Sequence, residues 1–371
     1  MNIIWVTVRR RSDFCSTTTT ALSRGLVEAG HQLTLLSPDN DEMHADGRWF
    51  HVQLHQTSLR GMQAYSLATS AIKWFSKNDT SNVDVVIIDW PLAPRLGPTL
   101  KKLNIQTLLM DRSPPADVSI LGKLQWRIWK QAWKLVQQGV IRHGSVVSRR
   151  HLDFVKQHVR IHDSRLHVIP AGVNLELFTP SKKPKISKGL RLIYHGRLDK
   201  HRGILSLPML VQKLVAAGVK ANLTLVGEGD AVASLKKIER NMEWMEVHSY
   251  KEQSEVATIL SKQHIGILPM PKTTVWSLAS PLKRSEYIAS GLLVLGIKHS
   301  GHALDQADPS WFHLLAQHDF QTMGIEWLVN LTQEQFDDGS KLARAHALNK
   351  FSWAKSVDSL NDALYCCKQN E

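Results

Sequence analysis

Cysteine is scarce in this chain. There are three in 371 residues (Cys15, Cys366 and Cys367), and their spacing fits neither a disulfide framework nor a zinc site. No apolar run approaches the ~18 residues of a membrane span, and the opening MNIIWVTVRRR lacks the layout of a signal peptide. The 18 histidines are scattered, without the i, i+4 pairing beside a glutamate that marks a metalloenzyme. No repeat of ~20–50 residues is visible, and residues 17–20 are the one low-complexity tract. The expectation is an intracellular, cytoplasmic protein, not integral to a membrane, with reduced thiols and no bound metal or cofactor.

Acid is also in short supply. Lys and Arg number 46 against 33 Asp and Glu, a formal net charge of +13. Residues 1–175 hold 22 bases and 13 acids, a balance of +9, whereas residues 176–371 hold 24 and 20, a balance of +4. An excess concentrated in one half points to an anionic partner there, whether phosphate, nucleic acid or an anionic lipid surface. Hydrophobic residues make up 43% and charged ones 21%, the balance of a globular chain. At 371 residues it is long enough for two cores of ordinary size.

The order of apolar runs says how those cores are built. Residues 2–8 form a strand, followed by a basic loop, a helix over 17–30 and a strand over 32–37, with Gly30 stopping the helix. VDVVIID (83–89) is a continuous β-branched run of the kind buried on both faces of a parallel sheet. Further strands are expected at 105–111 and 166–169. TPSKKPKISK (179–188) has no periodicity and reads as a linker. Alternation then resumes, with strands at 190–195, 221–226, 245–249, 265–269 and 292–297, and the clearest helices at 253–263 and 281–290. Two such sets predict two doubly wound α/β domains with parallel sheets, 1–178 and 189–351. A last helix over 352–371 packs on either domain and could cross back to the first.

Three constellations in the second half carry chemistry. In YHGRLDKHRG (194–203) a strand ends at Gly196, and Arg197 and Arg202 follow on a loop entering a helix. Two guanidiniums beside a helix start suit a diphosphate, the alternative being two solvated arginines. In LVGEGD (225–230), Gly227 and Glu228 end a strand where a ligand could approach the backbone; a plain glycine turn is the competing reading. In SPLKRSEYIASG (280–291), Ser280 is the expected N-cap and Pro281 the first helical residue. Exposed amides at such a start, around Ser280, Pro281 and Leu282, would then meet phosphate with Lys283 nearby, and Glu286 could bind vicinal ribose hydroxyls. A capped surface helix with a solvated glutamate is the alternative.

These motifs in this order, with VIPAGVN (168–174) and Phe178 before the linker, resemble the family 4 retaining nucleotide-sugar glycosyltransferases of GT-B fold. The resemblance is strong over about residues 165–300. It implies two facing Rossmann-like domains, with a nucleotide-sugar donor on the C-terminal one. It also implies that Arg197 and Arg202 hold the diphosphate, that Glu286 binds the ribose, and that transfer retains configuration without metal. The chain departs from the family pattern at Leu278, where the first of two paired glutamates would stand. It departs again at Arg9–Arg11, in place of a glycine pair, and at Asp111, in place of an acceptor-side histidine. Asp111 is a candidate orienter or base, or else a capping residue, and Arg112 could face phosphate.

On the acceptor side, LGKLQWRIWKQAWKLV (121–136) places Leu121, Leu124, Ile128, Ala132 and Leu135 on one helical stripe. Trp126, Trp129 and Trp133 flank it, and Lys123, Arg127, Lys130 and Lys134 lie beyond. That pattern suits a helix resting on an anionic membrane interface, with 66–77 extending the surface; a core helix with solvated bases is the alternative. The expected enzyme is a hexosyltransferase-type glycosyltransferase acting on a glycan or lipid-linked acceptor, cytoplasmic or peripheral on the membrane face. A nucleic-acid binder lacks any recognition signature here, and a GT-B sugar-nucleotide epimerase would need no acceptor surface.

Overall fold

The computed structural model describes residues 1–13, 16–44, 48–115, 120–304 and 306–369, with the side chains of residues 43, 120 and 121 excepted. Cys15 and the side chain of Leu121 therefore lie outside the described part. The chain divides into two compact units, one of Met1–Ala171 with Trp353–Glu371 and one of Gly172–Ser352.

The first unit runs β1 (Asn2–Val6), α1 (Ser16–Glu28), β2 (Gln32–Ser37), β3 (Phe50–Gln53), α2 (Gln63–Phe75), β4 (Val85–Asp89), α3 (Ala93–Lys102), β5 (Gln106–Asp111), α4 (Ile120–Gln137), β6 (His143–Val146), α5 (Arg149–His158) and β7 (Leu166–Val168). Its seven strands are ordered β3-β2-β1-β4-β5-β6-β7, and every pairing is parallel. The β-branched run of β4 is buried throughout. The reason is visible in the alternation: Ile4, Val6, Val86 and Ile88 enter one apolar layer, while Ile3, Trp5, Val85 and Ile87 enter the layer on the other face. Such a strand has no solvated side, so its sequence cannot alternate.

The second unit runs β8 (Leu190–His195), α6 (Ser206–Ala216), β9 (Ala221–Val226), α7 (Val232–Glu239), β10 (Met245–His248), α8 (Gln253–Leu260), β11 (Ile265–Leu268), α9 (Thr274–Leu278), α10 (Leu282–Ala289), β12 (Leu293–Ile297), β13 (Phe312–Leu315), α11 (Met323–Val329) and α12 (Gln333–Lys350). Its six parallel strands are ordered β10-β9-β8-β11-β12-β13. The strand order reverses between β8 and β11, the switch point beyond which doubly wound sheets bind ligands. Residues 179–188, read from sequence as a linker, are tied to this unit. Ser181 Oγ donates to the Ser261 carbonyl (2.7 Å), Lys183 Nζ to the Ser290 carbonyl (2.8 Å), and the Ile186 amide to Gln333 Oε1 (2.9 Å).

The last helix, α13 (Trp353–Lys368), belongs to the first unit. Its Val357, Leu360, Ala363 and Leu364 fill the layer that also holds Leu22 and Leu26 of α1. No described helix is long and apolar enough to cross a membrane.

Candidate functional site in the second unit

At the carboxyl end of β8 the chain turns through Gly196, where the ends of β8 and β9 nearly touch. A Cβ on Gly227, whose φ is +142°, would stand 1.9 Å from the Gly196 carbonyl oxygen. Gly227 is therefore glycine for lack of space, and the ladder closes over it. The Gly196 amide donates to the Val226 carbonyl (2.9 Å), the Gly227 amide to the His248 carbonyl (3.0 Å) and the Leu198 amide to the Glu228 carbonyl (2.7 Å). Glu228 itself is exposed.

Arg197 and Arg202 both converge on Asp199. Arg197 donates from Nε (3.2 Å) and Nη2 (2.9 Å) to the two carboxyl oxygens, and Arg202 Nε lies 3.4 Å from Oδ2. Burial alone would raise the Asp199 pKa. The Arg197 hydrogen bonds and charge, the Asp230 amide and the Arg202 charge outweigh it and hold the carboxyl below its ordinary value. Arg202 is also stacked over Trp276 of α9, its guanidinium carbon 4.4 Å from the ring centroid. Asp230 accepts from the Lys200 amide (2.7 Å), which links the two strand-end loops. The sequence reading did not anticipate Asp199 as the common anchor or Trp276 as the platform. An acid two residues after Arg197 and three before Arg202 was the available sign.

Helix α10 supplies the other wall. It begins one residue later than expected: Pro281, not Ser280, is the N-cap, and it makes no side-chain cap bond. Proline's fixed φ sets the entry by itself. Glu286 is 6% exposed, and its Oε2 lies 3.1 Å from Nε2 of His195, the last residue of β8. Lys283, expected near the phosphate, is buried. Its Nζ donates to Tyr194 Oη (2.8 Å) and rests over the ring, because this turn of α10 faces the sheet. Burial raises the Tyr194 hydroxyl pKa far above its ordinary value. Tyr287 Oη accepts from the His195 amide (3.2 Å), so two consecutive positions of β8, Tyr194 and His195, meet α10. Leu278, at the position of the absent glutamate, is buried in the core. A cavity of about 620 Å³ opens near the carboxyl ends of β11, β12 and β13, with Lys272, Lys298 and His299 in its lining.

In the first unit the structure corrects two expectations. Asp111, a candidate base, is fully buried. Its Oδ2 accepts from Trp129 Nε1 (2.6 Å) and Trp133 Nε1 (2.9 Å) and lies 3.2 Å from His151 Nε2. It is sealed away from any acceptor and anchors α4 to β5. Trp129 and Trp133 are correspondingly core residues, 1% and 0% exposed, and not an interfacial seam. Trp126 is half-buried, edge-on to Trp129 and Phe154. The face of α4 turned to solvent carries Lys123, Arg127, Lys130 and Lys134, with Leu124 and Ile128 45% and 38% exposed between them. Arg112, expected to face phosphate, donates from Nη1 to the Ile169 carbonyl (2.8 Å).

Comparison with known proteins bears on the fold. Residues 16–177 match the family model described as Glycosyltransferase Family 4. No curated protein sequence matches the chain. Among solved structures, the chain is similar to a sucrose-phosphate synthase from Thermosynechococcus elongatus (15% identity, 98% of each chain covered, TM-score 0.77). It is also similar to a glycosyltransferase from Rickettsia africae (17% identity, 100% and 99% covered, TM-score 0.72). A third similar structure is Anabaena HepE in complex with UDP and glucose (11% identity, 98% and 99% covered, TM-score 0.74).

Proposed function

We propose that the chain is a family 4-like glycosyltransferase of GT-B fold that moves a sugar from a nucleoside-diphosphate sugar, held on the second unit, to a glycan or lipid-linked acceptor. Configuration is retained and no metal takes part. The observation that carries this reading is the convergence of Arg197, Arg202 and Glu286 at the carboxyl end of β8, where the strand order reverses.

Each residue has a role in that chemistry. As the glycosidic bond to phosphate breaks, negative charge grows on the departing diphosphate, and fixed cations stabilise it. Asp199 engages Arg197 through Nε and Nη2 and so orients the remaining donor edge toward a ligand. Trp276 holds Arg202 flat. The start of α10, where the N-cap Pro281 makes no side-chain cap bond, turns the positive end of the helix toward the same charge. Glu286, fixed beside His195, presents a carboxyl to the ribose hydroxyls. Gly227 lets the end of β9 close against Gly196, which shapes the backbone turn at the end of β8. HepE was solved with UDP, which makes UDP the first nucleotide to test.

The acceptor side is served by the solvent face of α4. Four bases around Leu124 and Ile128 support peripheral attachment to an anionic membrane face, where a lipid-linked acceptor would be met. The deciding experiment is thermal stabilisation by UDP, GDP and ADP. A ligand at ~100 times its dissociation constant adds about 2.7 kcal/mol. A shift with one nucleotide, abolished in Arg197→Ala, supports the donor site. No shift with any of them overturns it.

A further inference from the structure

Tyr194 of β8 is fully buried and packs in the apolar core of the second unit. A phenyl ring would fill that place equally well, and a hydroxyl taken out of water there is costly unless it is hydrogen-bonded. Its partners are Lys283 Nζ of α10, at 2.8 Å, and the Arg197 carbonyl, at 3.0 Å. An ammonium can only donate and a carbonyl can only accept, so the direction of this chain is fixed. Lys283 donates to the hydroxyl, and the hydroxyl donates its own proton to Arg197. Burial raises the Tyr194 pKa far above its ordinary value, outweighing the charge and hydrogen bond of Arg202, so that proton stays in place. A charged donor on one side of the hydroxyl polarises it and strengthens the bond on the other.

The peptide unit reached in this way is the one that carries Arg197 into the donor site. Its carbonyl accepts from Tyr194, and its amide, that of Leu198, donates to the Glu228 carbonyl (2.7 Å). At the tip of the same residue, Asp199 accepts from Nε (3.2 Å) and Nη2 (2.9 Å). Arg197 is thus held both at its backbone and at its guanidinium. We propose that Tyr194 is a positioning residue, whose hydroxyl, anchored by Lys283, sets the Arg197 peptide and so aims the guanidinium at the donor's diphosphate. The inference rests on the donor reading above. Productive contacts tolerate only about 0.5 Å of error, so slack in this peptide weakens the grip on phosphate and leaves the base and ribose contacts alone.

The test is titration of full-length Tyr194→Phe with UDP, GDP and ADP, and with the matching nucleosides measured by displacement of the bound diphosphate. Affinity for the diphosphate that binds the parent should fall about tenfold. Affinity for its nucleoside, which has no phosphate to meet Arg197, should stay within about twofold, and the far-UV spectrum should match the parent's. The hydroxyl is also deleted in a second background, by comparing Lys283→Met with Tyr194→Phe/Lys283→Met, where no buried ammonium is deprived of a partner. The same loss, confined to the diphosphate, is expected between those two. Equal weakening of diphosphate and nucleoside would make the hydroxyl merely structural and overturn the proposal. Unchanged diphosphate affinity in Tyr194→Phe would also overturn it, while leaving the donor reading standing. A parent chain that binds none of the three diphosphates overturns the donor reading, and the role of Tyr194 with it.

Discussion

Replacing Gly227 with alanine tests whether the donor site depends on backbone meeting backbone. The new Cβ would sit 1.9 Å from the Gly196 carbonyl oxygen, about 1.5 Å short of ordinary van der Waals contact. Backbone cannot swing aside like a side chain, so the ends of β8 and β9 must separate. Three strand-end hydrogen bonds of 2.7–3.0 Å cross this region, each contributing about 1 kcal/mol net. The strained φ of +142° costs about 1–3 kcal/mol for a non-glycine residue. Together these predict about 4–6 kcal/mol of destabilisation and loss of nucleotide binding. Gly218→Ala is the control: its φ is +85° and its Cβ would meet nothing within 4 Å, so it should cost only about 1 kcal/mol. Urea unfolding of both variants, followed by nucleotide titration, separates the terms. Equal destabilisation by the two substitutions would refute the close-approach argument.

Further outcomes are expected elsewhere. Glu286→Gln should keep the fold, as read by circular dichroism, while lowering donor turnover by at least about tenfold, the loss of one charge-assisted hydrogen bond; unchanged kinetics would remove Glu286 from the site. Trp133→Phe should cost about 1.5–3 kcal/mol, the value of one hydrogen bond to a charged group, and leave vesicle binding untouched; a selective loss of vesicle binding would return the indole to the interface. His264 accepts from the Arg191 amide at Nδ1 (2.9 Å) and faces the Pro184 carbonyl with Nε2 (2.8 Å), and burial foremost lowers its pKa to about 4. The unfolded chain therefore binds the proton first. Stability is full above about pH 6.5 and falls toward pH 4 by up to about 1.4 kcal/mol per unit, a slope that His264→Gln should flatten in urea titrations. Replacing Lys123, Arg127, Lys130 and Lys134 by Glu should release the chain from anionic vesicles in flotation; retained binding would refute the α4 surface.

How far the sequence could be read depended on whether one side chain or its partner decides the outcome. Strands β2, β8 and β9 have the expected bounds because each is an apolar run ended by a loop residue. The four-residue strands β3, β6 and β13 escaped notice. β6 opens with His143-Gly144, and β3 is a half-exposed edge, so neither shows an apolar run. The family match adds a similar lesson. The motifs that suggested kinship lie mainly at 165–300, whereas the family model matches 16–177, a stretch that includes Asp111, where the acceptor-side histidine was expected. Arg197 and Arg202 were legible as cations, but Asp199, which aims both, has meaning only once the loop has folded.

The case of α4 shows what pattern alone cannot decide. Its aliphatic stripe and its tryptophans lie on adjacent faces, and periodicity favours the stripe as the buried one. The core instead takes Trp129, Ala132, Trp133 and Val136, spaced i, i+3, i+4 and i+7. Asp111 is the reason: a carboxyl buried at the end of β5 must be given donors, and the two indoles supply them at 2.6 and 2.9 Å. Leu124 and Ile128 are thereby turned outward among four bases. Membrane attachment then loses its aromatic anchors and rests on charge, worth about 1 kcal/mol per base near an anionic surface. Such binding fades once the Debye length shortens. Vesicle association that survives molar salt would mean that Leu124 and Ile128 insert, and that the apolar contribution outweighs the electrostatic one.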